Sequence, residues 1–192
     1  MKTFDLTLTF TEDLLGGSPK NLQVYTDYVA SKRPPDQDLD EEMNDLSFTG
    51  ERGSTGFPTD SEGVFLLDYQ VKGFFKEAGY ILKDIVGVHN LKNKLQYYFW
   101  IAPRKIRLAP KIDGVLERPL RGMTPLGPRV ALAQSDRLDQ GLMLKCEIAL
   151  FEHKELTEDL LRKLLDYGIW QGMGQWRSGG YGRFTYELTE RS

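Results

Sequence analysis

Apolar and polar residues alternate from Thr3 to Phe10, with Phe4, Leu6, Leu8 and Phe10 on one side and Thr3, Asp5, Thr7 and Thr9 on the other. A period of two, rich in threonine and aromatics, predicts a half-buried strand. Glu12 to Pro19 closes it with glycine, serine and proline, the residues of loops. Residues 20–63 lose the periodicity, and Leu22 to Ala30 fits either a strand or a short helix. Asp60 or Ser61 is placed as an N-cap, and Leu67, Val71, Phe74, Ala78, Ile81 and Ile85 then recur at steps of four and three, which predicts a helix. Tyr97 to Ala102 reads as an aromatic strand, and Leu142, Leu144, Cys146, Ile148 and Leu150 alternate as another. Thr157 can cap a helix with Glu158 and Asp159 in its first turn, where acidic groups suit the dipole. Leu160, Leu161, Leu164 and Leu165 supply its apolar stripe, which ends by Gly168, and Phe184 to Leu188 alternates as a last strand.

In order, these elements spell β-α-β-β-α-β, the ferredoxin-like α+β arrangement. That topology predicts one domain over residues 1–192, with an antiparallel sheet, both helices on one face and the other face open. A long insertion follows strand 1, at about 20–63, and a basic hairpin arm spans about 102–140. The arm carries Arg104, Lys105, Arg107, Lys111, Arg118, Arg121 and Arg129.

Charge sharpens the picture. The net charge of −3 argues against indiscriminate coating of nucleic acid, but residues 1–90 carry 8 basic and 16 acidic side chains while residues 91–192 carry 17 and 12. A polyanion contact is therefore expected in the second half. Asp36, Asp38, Asp40, Glu41, Glu42 and Asp45 crowd the insertion, yet their spacing fits no EF-hand and reads as a solvated acidic loop. A single cysteine, Cys146, leaves no disulfide framework and no cysteine zinc site. No metal and no cofactor are expected. No signal-peptide pattern or membrane-length apolar run occurs, so a cytoplasmic location without membrane contact is the expectation. Walker, Gly-x-Ser-x-Gly and Rossmann motifs are missing too.

The densest chemistry lies in Gly172 to Phe184. Five glycines fall between Gly172 and Gly182, with Arg177 and Arg183 as fixed cations and Trp176 and Tyr181 as flat faces. A glycine-rich turn can aim several N–H groups into one concavity that seats phosphate oxygens, and bases stack on aromatics. The plainer alternative is a surface turn with two solvated arginines. A second feature is Gly73 inside the first helix, a position costing about 1 kcal/mol relative to alanine. A backbone or a ligand packed closely against the helix would account for it.

Arg177-Ser178-Gly179-Gly180-Tyr181-Gly182-Arg183-Phe184, between the last helix and the last strand, resembles the glycine-rich loop of the RAMP superfamily, the ferredoxin-like RNA-binding proteins of CRISPR effector complexes. Lys72-Gly73, within Gln70 to Lys76, is similar to the first helix of the backbone-type subunits, where that region meets guide RNA. The resemblance implies RNA contacts by Lys72, Gly73, Lys76, Arg104, Lys105, Arg107, Arg118, Arg121, Gly174, Trp176, Arg177, Ser178, Gly180, Tyr181 and Arg183, and a thumb-like role for the arm. The chain departs from the processing members, which usually carry two ferredoxin-like units. Those members generally use a histidine, for which His89 is the candidate here; His153 reads as a solvated strand end. Target-cutting members use a loop aspartate, for which Asp27 or an acid within 36–45 could stand.

The leading expectation is a subunit of a ribonucleoprotein effector complex that binds single-stranded RNA, with RNA and other subunits or further copies as partners. The alternatives are a metal-independent RNA-processing endoribonuclease of the same superfamily using His89, and a phage-type assembly protein that uses the arm for protein contacts.

Overall fold

The computed structural model describes residues 1–26, 53–124, 127–151 and 153–191. The acidic insertion and Asp27 lie outside them.

The alternation of the first strand holds. β1 (Lys2–Phe10) buries Phe4, Leu6, Leu8 and Phe10 to within 1% of complete enclosure. It pairs antiparallel with β11 (Met143–Leu150) on one side and with β12 (Phe184–Glu190) on the other, and β7 (Phe99–Ala102) completes the sheet beyond β11. The order β12-β1-β11-β7 is antiparallel throughout. Two helices, α1 (Asp68–Leu82) and α3 (Glu158–Gln171), pack together over its apolar face. The fold is therefore α+β and ferredoxin-like, as the element order implied.

The helix termini follow capping chemistry. Leu160 N–H donates to Thr157 Oγ1 at 3.2 Å, with Glu158 and Asp159 in the first turn. At α1 the Gln70 side chain accepts from Leu67 N–H at 2.9 Å. Phe74 of α1 and Phe184 of β12 meet edge to face, with ring centroids 5.5 Å apart. Gly168 makes room for them, since a Cβ there would sit 2.1 Å from Phe184 Cζ. Helix α3 runs three residues past Gly168, to Gln171, because that glycine is a packing contact and the stop falls at Gly172 with φ of 72°.

Several expectations are corrected. Asp60 does not cap α1 but lies in β5 (Thr59–Asp60), and Gly63–Leu67 forms β6, buried at every position. The buried face of α1 is Val71, Phe74, Phe75 and Ala78; Ile81 is exposed in the last turn, and Ile85 is exposed beyond the helix end at Leu82. Tyr97 and Tyr98 close a further helix, α2 (Leu91–Tyr98), which the sequence reading missed. It crosses α1 at Gly79, where a Cβ would come within 2.7 Å of Leu95 Cδ1.

The basic arm divides in two. β8 (Lys105–Ala109) joins β6 in a small sheet with β5. The protruding hairpin is β9 (Gly114–Thr124) with β10 (Gly127–Leu138), in register from Arg137 opposite Gly114 to Gly127 opposite Thr124. Its root is fastened to the body, as β10 pairs with β2 (Leu14–Leu15) and, in parallel, with β4 (Ser54–Gly56), which in turn pairs with β3 (Ser18–Pro19).

Lys105 and Arg107 belong to the smaller sheet, Arg104 directly precedes it, and all three face carboxylates of this chain. Arg104 pairs with Asp68, and Lys105 reaches Asp60 at 3.5 Å. Arg107 holds Asp60 at 2.9 Å (Nη2 to Oδ2) and Glu62 at 2.8 Å. The hydrogen bond from Arg107 is the main cause that brings the Asp60 carboxyl down to about 2, with the Glu62 N–H and the charges of Arg107 and Lys105 adding to it against a desolvation penalty. A carboxyl lowered on folding stabilises the protein above its unfolded pKa, near 4, and that contribution disappears as pH falls through about 2. Asp60→Asn is accordingly expected to cost about 1 kcal/mol at pH 7, after allowance for solvent screening, and only a small part of that at pH 2, where the folded carboxyl is about half protonated. Urea midpoints of the two proteins that differ equally at both pH values would remove the ion pair as the cause.

Candidate nucleic-acid interface

The glycine-rich turn is anchored more than it is open. Met173 N–H donates to Gly182 O at 2.9 Å, Gln175 N–H to Leu15 O at 3.1 Å, and Gly182 N–H to Asp13 O at 2.8 Å. A 3-10 turn at Arg177–Gly179 takes up two more donors, Gly179 N–H bonding Trp176 O and Gly180 N–H bonding Arg177 O, each at 2.9 Å. The expected concavity of free N–H groups is therefore corrected: these five donors bind carbonyls of the chain itself. Their glycines serve close approach, since a Cβ at Gly174 would stand 2.6 Å from Leu15 O.

Three of the turn's side chains, Trp176, Arg177 and Tyr181, are also engaged. Trp176 and Tyr181 stack on each other, centroids 5.1 Å apart at 21°. The Arg118 guanidinium of β9 sits 4.7 Å from the Trp176 ring centre, so the hairpin leans on the turn. Burial lowers the pKa of Arg118, and its Nε and Nη1 are enclosed with no hydrogen-bond acceptor among the described residues. Arg177 pairs with Glu77 of α1 at 2.8 Å. Arg183 lines a polar cleft of about 600 Å³ together with Ser178, Gly180 and Tyr181, but Glu12 and Asp13 line the same cleft. Two carboxylates beside one guanidinium make a poor phosphate seat, because like charges repel. Arg121 lies on β9 opposite Val130.

Helix α1 presents a different surface. Gly73 is exposed, and a Cβ built on it would meet nothing within 4 Å. No neighbour within the described protein accounts for that glycine, so of the two expected partners, a backbone or a ligand, the described protein supplies no backbone. Lys72 beside it is half-buried and fixed, its ammonium donating to Gln96 O at 2.9 Å and standing 5.6 Å from the Trp100 ring. Burial, then the charge of Lys76, lowers its pKa. Lys76 is lowered likewise, by burial and then by Lys92. Lys72, Lys76, Tyr80 and Lys83 follow at steps of four, four and three, one continuous stripe along the helix. Trp100 on edge strand β7 is 44% exposed beside it.

His89 is exposed in the loop between α1 and α2, in a second cleft with Lys83, Asp84 and Lys92. No hydrogen bond to it occurs among the described residues. His153 Nδ1 instead accepts from Glu155 N–H at 3.2 Å. Cys146 is buried, and desolvation pushes its thiol up to about 12, which suits a packing role. No cluster of three or more potential metal ligands occurs among the described residues, and no helix there is long and apolar enough to cross a membrane. Lys72, Gly73 and Lys76 thus come together with Trp100. Arg118 meets Trp176 and Tyr181 near the hairpin root, and Arg104, Lys105 and Arg107 stand apart at the smaller sheet. Tyr80, Lys83, Lys92 and Trp100 were missed by the sequence reading, although the four-four-three spacing from Lys72 would have found the first two.

No family model matches this chain, and no curated protein does. Among solved structures it is similar to a chain of the type III-B Cmr-beta complex bound to cognate target RNA, at 11% identity and a TM-score of 0.46, over 98% of this chain and 61% of that one. The chain therefore spans about three fifths of the length of that neighbour. It is also similar to a chain of a type IV-B CRISPR complex, at 12% identity and a TM-score of 0.45, over 97% of this chain and 90% of that one.

Proposed function

We propose that this chain is a single-stranded RNA-binding subunit of a multi-protein ribonucleoprotein, and that the strand's phosphates lie along α1 over Lys72, Gly73 and Lys76. The observation that carries the reading is Gly73. A glycine at an exposed mid-helix position costs about 1 kcal/mol, and inside the described protein nothing approaches it. Its absent side chain is useful only to something outside that must come close to the helix backbone. Lys72 beside it and Lys76 one turn on give that partner's sign. Trp100 offers a face for a base. The guide-RNA identity of the strand, and a place among CRISPR effector subunits, rest on the resemblance of the glycine-rich turn to the RAMP loop. In this reading the turn holds the hairpin root through Trp176 and Arg118, and Arg118 and Arg121 contact the strand from the hairpin.

The test separates folding from binding. Gly73→Leu removes a helix-weakening residue and adds its side chain to open space, so stability is expected to rise by about 0.5–1 kcal/mol. Affinity for an unstructured, labelled single-stranded RNA is expected to fall at least 10-fold. Lys72→Ala with Lys76→Ala is expected to flatten the slope of log affinity against log salt by about 1.4, at about 0.7 per phosphate contact. RNA binding that survives Gly73→Leu with its salt slope intact moves the strand off this helix. Wild-type protein that ignores the RNA at low salt ends the proposal.

A further inference from the structure

The α1 stripe does not stop at Lys76. Tyr80 is 60% exposed, and the ammonium groups of Lys83 and Lys92 stand 5.4 and 5.7 Å from its ring centre. These distances lie near the outer limit of a cation–π contact, so both lysines are held loosely enough to turn to an incoming anion. The ring borders an open cleft of about 530 Å³ that His89, Asn90 and Asp84 also line. That volume falls in the range of small-ligand sites. Lys83, Lys92 and His89 line it against one carboxylate, Asp84.

We infer that this cleft is a nucleotide site, in which a base stacks on Tyr80 and its phosphate lies between Lys83 and Lys92, with Asn90 within the cleft for the sugar or base edge. An open aromatic face together with two loosely held cations matches both halves of a nucleotide. Neither inorganic phosphate nor an apolar ligand would use both. Two sources share this chemistry, a free mononucleotide and one nucleotide of a bound strand. The inference deepens the RNA-binding reading and rests on it for the strand, because the stripe from Lys72 to Lys83 is about 16 Å long and would let one chain of nucleotides touch both places.

The experiment titrates the full chain with inorganic phosphate, adenosine 5′-monophosphate and the same unstructured RNA. It compares wild type with Tyr80→Phe, Tyr80→Ser and the pair Lys83→Ala with Lys92→Ala. All these side chains are exposed, and unchanged unfolding midpoints check that the variants fold. Tyr80→Ser is expected to weaken the nucleotide ligands about 10-fold, within the range of one lost stacking contact, and to leave phosphate unchanged. Tyr80→Phe is expected to bind as wild type. The double lysine variant is expected to weaken all three. Binding of the mononucleotide identifies a free-nucleotide pocket, and binding of RNA alone identifies a strand position; both support the site if Tyr80→Ser reduces them. RNA binding that responds to Gly73→Leu but not to Tyr80→Ser overturns the cleft and leaves the α1 reading standing. Mononucleotide binding that depends on Tyr80 in a protein that ignores RNA does the reverse. Tyr80→Ser with wild-type affinity for every ligand, or wild type that binds neither the mononucleotide nor the RNA, ends the inference.

Discussion

Gly182→Ala is expected to lower stability by about 3–5 kcal/mol, and with it the melting temperature by roughly 10 °C or more. Two costs add. Gly182 has φ of 71°, a region that charges an alanine on the order of 1–2 kcal/mol. Its Cβ would also stand 1.9 Å from Met173 O, a backbone atom that cannot swing away. Relief requires parting the two sides of the turn, which endangers the Met173 N–H bond to Gly182 O and the Gly182 N–H bond to Asp13 O, each an enclosed donor that is costly to leave unmade. Gly180→Ala is the control. Its φ of 91° is equally unfavourable, but the nearest atom to its Cβ is Arg183 Cζ at 3.9 Å, so it is expected to cost only about 1–2 kcal/mol. Chemical unfolding of the two variants measures the difference. Equal losses would mean that the turn flexes freely and does not clasp the segment from Asp13 to Leu15.

That clasp explains why the richest motif of the sequence was only half readable. Glycine spacing announces a turn, and the turn is there. What its N–H groups bond could not be read, because the acceptors Asp13 and Leu15 come from the far end of the chain. The same limit applies to the cations. Arg107 next to Lys105 looks like a basic arm until Asp60, 47 residues earlier, is seen beside it. Secondary structure was legible wherever one face is wet. β1 and β11 alternate because their other side meets solvent, and α3 shows its cap and stripe for the same reason. β6 is buried at all five positions, so it shows no alternation, and Leu67 ran on into the helical stripe behind it. α2 has two buried leucines, Leu91 and Leu95, too few to set a period. The candidate site follows this pattern as well. Lys72 and Gly73 were legible as a motif, and Tyr80 and Lys83 follow from helix geometry. Lys92 and Trp100 reach the same surface only because Gly79 lets α2 cross α1 and thereby aligns β7 beside the helix.

Lys20→Met is expected to cost about 3–5 kcal/mol. Asp136 lies on β10 at the hairpin root with its side chain 3% exposed, and Lys20 Nζ meets its Oδ1 at 2.5 Å. Among the described residues, the other oxygen accepts only a long bond, 3.3 Å, from Phe57 N–H. Removing the ammonium leaves an enclosed carboxylate with that single weak donor, and an uncompensated buried charge is far more harmful than the loss of the pair as such. Lys20→Met combined with Asp136→Asn removes both charges and keeps an acceptor for Phe57, so it is expected to recover at least about 2 kcal/mol of the loss. Gly56 is part of the same arrangement, as a Cβ there would fall 2.1 Å from Asp136 Oδ2 and 2.3 Å from Lys20 Cε, so the pair sits directly on the backbone of β4. Because it fastens β10 to the strands beneath, the single variant is also expected to expose the hairpin to limited proteolysis before the sheet of β1 and β11 opens, and to weaken RNA binding through Arg118 without touching α1. Urea unfolding and the order of proteolytic cuts measure these effects. A single variant within 1 kcal/mol of wild type, cut no faster at the hairpin, would show that backbone pairing with β2 and β4 holds the arm without help from the charges.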